Sequence, residues 1–156
     1  MLRDKSLIPL SREHQHALAL CVQIDRALPA AALDLTRWQI EINDAYQKEI
    51  SFHFAAEEEV LFPLARRFGK LTELVSDLLE EHGKLREYFA QAKSGTMDRD
   101  RLADFTTMLS THIRKEERQL FEELQKLMSG QELAALGNAL VQQEHGTASC
   151  RLRENT

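Results

Sequence analysis

One pattern, H-x-x-x-E-E-x-x-L-F, constrains this chain more than any other feature. It occurs twice, from His53 to Phe62 and from His112 to Phe121. Residues four apart lie one turn from each other on the same face of a helix. His53 with Glu57, and His112 with Glu116, therefore form two pairs on faces that are otherwise apolar. An ionisable pair set into a core stripe is costly unless something satisfies it. A metal site shared by the two pairs is the simplest answer.

The rest of the sequence is built for helices. Ala, Leu, Glu, Gln, Lys and Arg dominate, and only 6 Gly and 3 Pro punctuate the chain, a composition with strong helix propensity. Periodicity predicts helix A over about 12 to 28, capped by Ser11 and following a lead-in that contains Pro9. Its inward face carries His14 with Leu10, Ala17, Leu18, Cys21 and Leu28, while His16 points to the opposite side. Helix B is predicted over about 34 to 68, with the stripe Ile42, Tyr46, Ile50, His53, Glu57, Val60, Leu64. A kink or local break is expected one turn before Pro63. Helix C covers about 71 to 92, with the stripe Leu71, Val75, Leu78, Leu79, His82, Leu85, Phe89. Helix D covers about 98 to 128, with the stripe Phe105, Met108, Leu109, His112, Glu116, Leu120, Leu127. A weaker helix E is expected over about 131 to 143, followed by a polar, frayed tail. No segment reads as a strand. Long amphipathic helices with short connections imply an all-α, up-down-up-down antiparallel four-helix bundle with a short extra C-terminal helix. One domain of 156 residues is expected, its core at about 7–128 and its C-terminal helix and tail at 130–156.

The two halves repeat. Glu13-His14 in helix A matches Glu81-His82 in helix C, and His53-x-x-x-Glu57 matches His112-x-x-x-Glu116. Each half thus supplies one lone inward His and one His/Glu pair. That match is the reason for choosing His14 over His16. The six candidate ligands are His14, His53, Glu57, His82, His112 and Glu116. Four imidazoles and two carboxylates exceed what one tetrahedral zinc needs. A mixed N/O set without thiolate leans towards non-haem iron or manganese. Two carboxylates that can bridge suggest two ions, the first on His14 and His53 and the second on His82 and His112. Other polar residues read more simply. Glu58, Glu59 and Glu117 look like a solvated helix face, with Glu58 also open to a ligand or supporting role. His16 reads as a surface residue, and His145 lies in the polar tail. Tyr46 reads as core, with a donor role towards the site as the alternative. Glu49 is a weak candidate for an extra ligand, and Trp38 and the Phe residues read as packing.

These residues resemble the hemerythrin-like family, also called the HHE cation-binding domain, over about residues 7 to 128. The doubled motif, each copy preceded by an E-H pair, carries the resemblance. It implies a four-helix bundle around a non-haem di-iron centre, with Zn or Mn as other occupants. The same six residues are the implied ligands. O2 binding, O2, NO or redox sensing and iron handling are the implied activities, with a small diatomic ligand or metal ions as partners. Oxygen-carrying members have a further His one turn before the position of His82, and here that residue is Leu78. Their fourth helix spaces its His and Asp five apart, where this chain spaces His112 and Glu116 four apart. The resemblance therefore implies sensing or metal handling rather than plain O2 transport. The alternative is a small di-iron redox enzyme reducing peroxide or NO, although no catalytic residue outside the metal set is visible. A structural protein that binds adventitious zinc is the third reading.

Several classes are disfavoured. The net charge is -5 at pH 7 with no basic stripe, which argues against nucleic acid as a partner. No apolar run approaches the ~18 residues of a membrane span, and the N-terminus does not read as a signal peptide. Cys21 and Cys150 lack metal or redox spacing, and core packing is the reading for Cys21. A cytoplasmic protein is expected, with a homodimer through helix E left open.

Overall fold

The computed structural model describes the backbone of residues 1–154 and the side chains of residues 1–148. Among these the chain is all-helical, without a strand. Five rods follow one another: α1 (Ile8–Ala27), α2 (35–65), α3 (Thr72–Ser94), α4 (99–127) and α5 (Gly130–Glu154). The side chain of Cys150 lies outside the described residues.

Local chemistry sets the boundaries. The Asp34 carboxylate accepts from the Arg37 N–H at 3.0 Å and starts α2. Asp98 does the same for the Arg101 N–H at 2.8 Å and starts α4. Gly95 ends α3 with φ of 70°, the left-handed conformation that glycine adopts without penalty. At the other end of the chain, α1 begins at Ile8, four residues earlier than the sequence suggests. Pro9 lies inside its first turn, where a missing N–H costs nothing. Ser11 is therefore not the cap; its hydroxyl donates to Glu117 of α4.

Both α2 and α4 depart from α geometry where the doubled motif lies. Turns with π-helical bonding cover Glu57–Leu61 in α2 and Glu116–Phe121 in α4. Another covers Tyr46–Ile50. The disturbance expected before Pro63 is thus a π turn, and the helix continues through it. Proline is not its general cause, because α4 has the same turn without one. A π turn adds a residue to the repeat, and the buried stripe shifts accordingly. Beyond Glu57 it runs through Leu61, Phe62 and Ala65 instead of Val60 and Leu64. Beyond Glu116 it runs through Leu120, Phe121 and Leu124 instead of Leu127.

The first four helices close a ring of contacts, α1 with α2, α2 with α3, α3 with α4 and α4 with α1. Helix α5 lies along α2 at residues 51–61. Two apolar clusters fill the interior. One gathers Cys21, Ile24, Ile42, Phe54, Phe89 and Phe105. The other gathers Leu7, Leu10, Phe62, Leu78, Phe121 and Leu136. Full burial of such side chains is worth roughly 1.5–3 kcal/mol each, which suffices to hold a polar layer between them. Helix α5 corrects the sequence reading. It has 25 residues rather than a short run and a frayed tail. Its Leu133 and Leu136 are buried against its own chain.

Candidate metal centre

All six residues singled out in the sequence converge in the layer between the two clusters. His14, His53, Glu57, His82, His112 and Glu116 are each no more than 6 % exposed. They fall into two groups that share both carboxylates. One is His14, His53, Glu57 and Glu116; the other is Glu57, His82, His112 and Glu116. Within each group the potential donor atoms lie within 4.8 Å of one another, close enough to hold a metal ion.

Each carboxylate faces both groups. Glu57 Oε1 stands 3.0 Å from His53 Nε2 and 3.6 Å from His14 Nε2. Its Oε2 stands 3.3 Å from His82 Nε2. Glu116 Oε2 stands 3.0 Å from His14 Nε2, and its Oε1 stands 3.3 Å from His112 Nε2. The imidazoles also face each other, Nε2 to Nε2, at 2.9 Å for His14 and His53 and 3.1 Å for His82 and His112. Despite this closeness, none of the four carboxylate oxygens accepts an aligned hydrogen bond.

The outward ring nitrogens explain the orientation. Each Nδ1 meets a carboxylate from the neighbouring helix: His14 with Glu117 at 2.7 Å, His53 with Glu13 at 2.6 Å, His82 with Glu58 at 2.7 Å and His112 with Glu81 at 2.7 Å. These bonds run α1 to α2, α2 to α3, α3 to α4 and α4 back to α1, so a cycle of Glu–His pairs laces the ring. A carboxylate accepts only, so each Nδ1 must carry the proton. In a neutral imidazole that leaves Nε2 as a lone pair. Four lone pairs and two carboxylates then point at a common space. Such an arrangement is repulsive unless cations or protons occupy it.

The charges make the same point. Six carboxylates surround the centre, two inside and four outside. Three of the outer ones hold cations: Glu117 pairs with Arg3 at 2.5 Å, Glu58 with Arg86 at 2.8 Å and Glu81 with Lys115. Glu13 pairs with no lysine or arginine among the described residues. The surplus negative charge binds protons when no metal is there. Burial pulls the His53 imidazole down, but Glu57 and Glu13 outweigh it and hold its pKa at about 9. His112 behaves alike, raised to about 10 by Glu116 and Glu81 against the same burial. His14 is also raised well above the ordinary value, by Glu116, Glu117 and Glu57 against burial. Burial works to raise Glu57, yet His53, His14 and His82 hold it well below the ordinary carboxylate range.

The closing Leu-Phe of the motif also has a physical reason. Phe121 of α4 stacks on His14 of α1, with centroids 5.5 Å apart. Phe62 of α2 packs on His82 of α3 at 5.4 Å. Each phenyl covers an imidazole of the next helix around the ring, and Phe54 also stacks on His82, with centroids 3.8 Å apart.

The remaining expectations divide. His16 is exposed and bonds Glu49 at 3.0 Å, so neither belongs to the converging set. His145 is exposed. Glu59 is exposed and accepts from Gln143. Glu58 and Glu117 are not the solvated face that their spacing suggests; both orient imidazoles. Glu13 and Glu81, noticed only as halves of a repeated E-H pair, do so too. Tyr46 is half-buried, stacks on Phe89 at 4.3 Å and lies beside the Arg86 guanidinium that holds Glu58. Cys21 is buried in the core, and burial pushes its thiol up to about 12.

Comparison with known proteins adds an independent line. The family described as hemerythrin HHE cation binding domain matches residues 9–124. A curated DNA nickase from Nostoc sp. (strain PCC 7120 / SAG 25.82 / UTEX 2576) is 31% identical over 88 residues, covering 54% of this chain and 25% of the nickase. The chain thus spans about a quarter of the length of that relative. No solved structure matches significantly. No helix among the described residues is long and apolar enough to cross a membrane.

Proposed function

Because the chain belongs to the hemerythrin HHE cation-binding domain family, we propose that it holds a pair of metal ions within a single-domain, antiparallel four-helix bundle formed by α1 to α4. His14 and His53 take one ion and His82 and His112 the other, while Glu57 and Glu116 serve both. The observation that carries this reading is the division of each carboxylate, one oxygen turned to each imidazole pair. Imidazole and carboxylate donors suit non-haem iron best, with manganese or zinc able to use the same set. Bound iron would supply a redox-active centre open to a small diatomic ligand such as O2 or NO. The protein's own contribution is to fix the ring tautomers through the four outer carboxylates and to exclude water with Phe54, Phe62 and Phe121.

Sensing of O2, NO or redox state, or iron handling, fits better than plain O2 transport. Leu78 lies one turn before His82 and is fully buried within an apolar cluster. It offers no donor, so six side chains serve two ions and leave coordination positions free. The DNA nickase likeness supports no nuclease role, since it touches a quarter of that protein. Anaerobic loading with Fe(II), followed by exposure to O2 or NO, tests the reading. A near-ultraviolet band characteristic of a bridged ferric pair is expected after oxidation. A protein that takes up iron yet stays featureless would refute the paired arrangement. Sustained turnover of peroxide or NO would favour the enzymatic reading instead.

A further inference from the structure

The buried centre needs a route by which ions reach it, and the structure offers one beside α5. A cavity of about 330 Å³ lies between α1, α2 and α5, and both Glu13 and His53 line it. Its apolar floor includes Leu10 and Phe52, and Val141 of α5 stands on its wall. Glu49 and Glu144 stand on it as well. The opposite half of the centre is approached differently. A hollow of about 410 Å³ between α3 and α4 reaches Glu81 but neither His82 nor His112. Lys84 lines that hollow, and Lys115 holds Glu81 itself. Lys84 pairs with Glu80 at 2.8 Å, and Lys48 pairs likewise with Asp44, so what sets this hollow apart is that it reaches no imidazole of the centre and that its Glu81 is already held by Lys115.

The geometry points to the α1–α2–α5 cavity as the port through which divalent cations enter and leave the centre. This rests on the paired metal site proposed above. Glu49 and Glu144 draw a cation from solvent, and it passes beside Glu13, the outer carboxylate that no lysine or arginine neutralises. The cation then meets His53 at the inner end. Lys48, also on the wall, is drawn aside by Asp44 at 3.0 Å. Helix α5 lies beyond residues 9–124 that match the family. It is therefore a wall added to the bundle, and the rate of metal exchange becomes a property of α5.

The test follows Co(II) uptake by the full-length metal-free protein in stopped flow, and Co(II) withdrawal by a chelator. Val141→Trp places an indole on the cavity wall at an exposed position. It should slow uptake and withdrawal alike by about tenfold, because passage then needs a conformational opening. Final stoichiometry and affinity should stay unchanged. Glu49→Gln combined with Glu144→Gln should slow uptake by about tenfold at low ionic strength, and less in high salt. Thr107→Trp, on the α3–α4 hollow, should leave both rates as they are. Wild-type rates in the Val141→Trp protein, or equal slowing by Thr107→Trp, would overturn the port while leaving the centre standing. A wild-type protein that takes up no Co(II) at equilibrium would instead overturn the centre.

Discussion

Replacing Glu117 with Gln tests the cycle of outer carboxylates directly. Glu117 belongs to α4 and accepts hydrogen bonds from the His14 Nδ1–H at 2.7 Å and from the Ser11 hydroxyl at 2.7 Å. Burial tends to raise its carboxyl, but His14, Ser11 and Arg3 hold it down at about 2, so it is ionised at neutral pH. The amide of Gln keeps the shape and one acceptor oxygen. It removes the charge that makes the His14 ring a better donor to metal, while the Arg3 guanidinium loses its ion pair but keeps its bonds to Gln125 and to the Glu117 carbonyl. Loss of such a partner typically costs 10–100-fold in metal affinity, about 1.4–2.7 kcal/mol. Competition with a chromophoric chelator measures this against wild type. Glu59→Gln is the control, since Glu59 is exposed and bonds only Gln143 among the described residues, and it should change affinity less than twofold or so. If Glu117→Gln binds metal as tightly as Glu59→Gln, the outer carboxylates do not support the centre and the reasoning fails.

Other consequences are accessible with standard measurements. In metal-free protein, the raised His53 and His112, at about 9 and about 10, stabilise the fold fully below the ordinary imidazole pKa near 6.5 and cease to do so as pH climbs through 9 to 10. The depressed Glu57 and Glu116 contribute above the ordinary carboxylate value of 4.5 and lose their contribution as pH falls below it. Thermal midpoints of metal-free protein should therefore peak between about pH 5 and 6.5, and a midpoint climbing steadily to pH 10 would contradict this. Metal binding must displace these protons, so titration calorimetry at pH 7 in buffers of different ionisation enthalpy should report release of about two protons or more per chain; no release would be inconsistent with the raised His53 and His112. His53→Ala should abolish stable binding at one position, whereas the exposed His16→Ala should bind as wild type, and equal losses would reverse the assigned phase of α1. Gly83 lies in the interior of α3 with open space where a Cβ would go, so Gly83→Ala should stabilise by about 0.5–1 kcal/mol. At Gly137 a Cβ would stand 2.9 Å from Ser6 Oγ and 3.0 Å from Ser6 Cβ, so Gly137→Ala should destabilise the docking of α5 by roughly 1–3 kcal/mol in chemical denaturation.

What could be read from the sequence was what one helix decides by itself. The i, i+4 spacing placed each His/Glu pair on one face, and the internal repeat chose His14 over His16. The α3 stripe, which has no π turn, is buried as its periodicity says, apart from the half-buried Leu79. Illegible features depend on two helices at once. Glu58 and Glu117 follow the buried Glu57 and Glu116 by one position, which on an isolated helix reads as solvent-facing. They become partners of His82 and His14 only because the next helix brings an imidazole to meet them. The register shift after Glu57 and Glu116 was hidden for a related reason, since a π turn has no compositional mark apart from the tolerance of Pro63. Helix α5 looked short because a polar surface helix lying on one neighbour has a weak apolar stripe. Pro9 was a start signal misplaced by four residues, since Ser11 offered a more familiar cap.

Metal content of untagged protein at equilibrium tests the central claim most directly. After anaerobic loading with Fe(II) and removal of free ions, elemental analysis should find two ions per chain. His112→Ala and His53→Ala together should retain essentially none. A wild-type chain that retains no metal, or one whose two ions survive both substitutions, would contradict the centre described here.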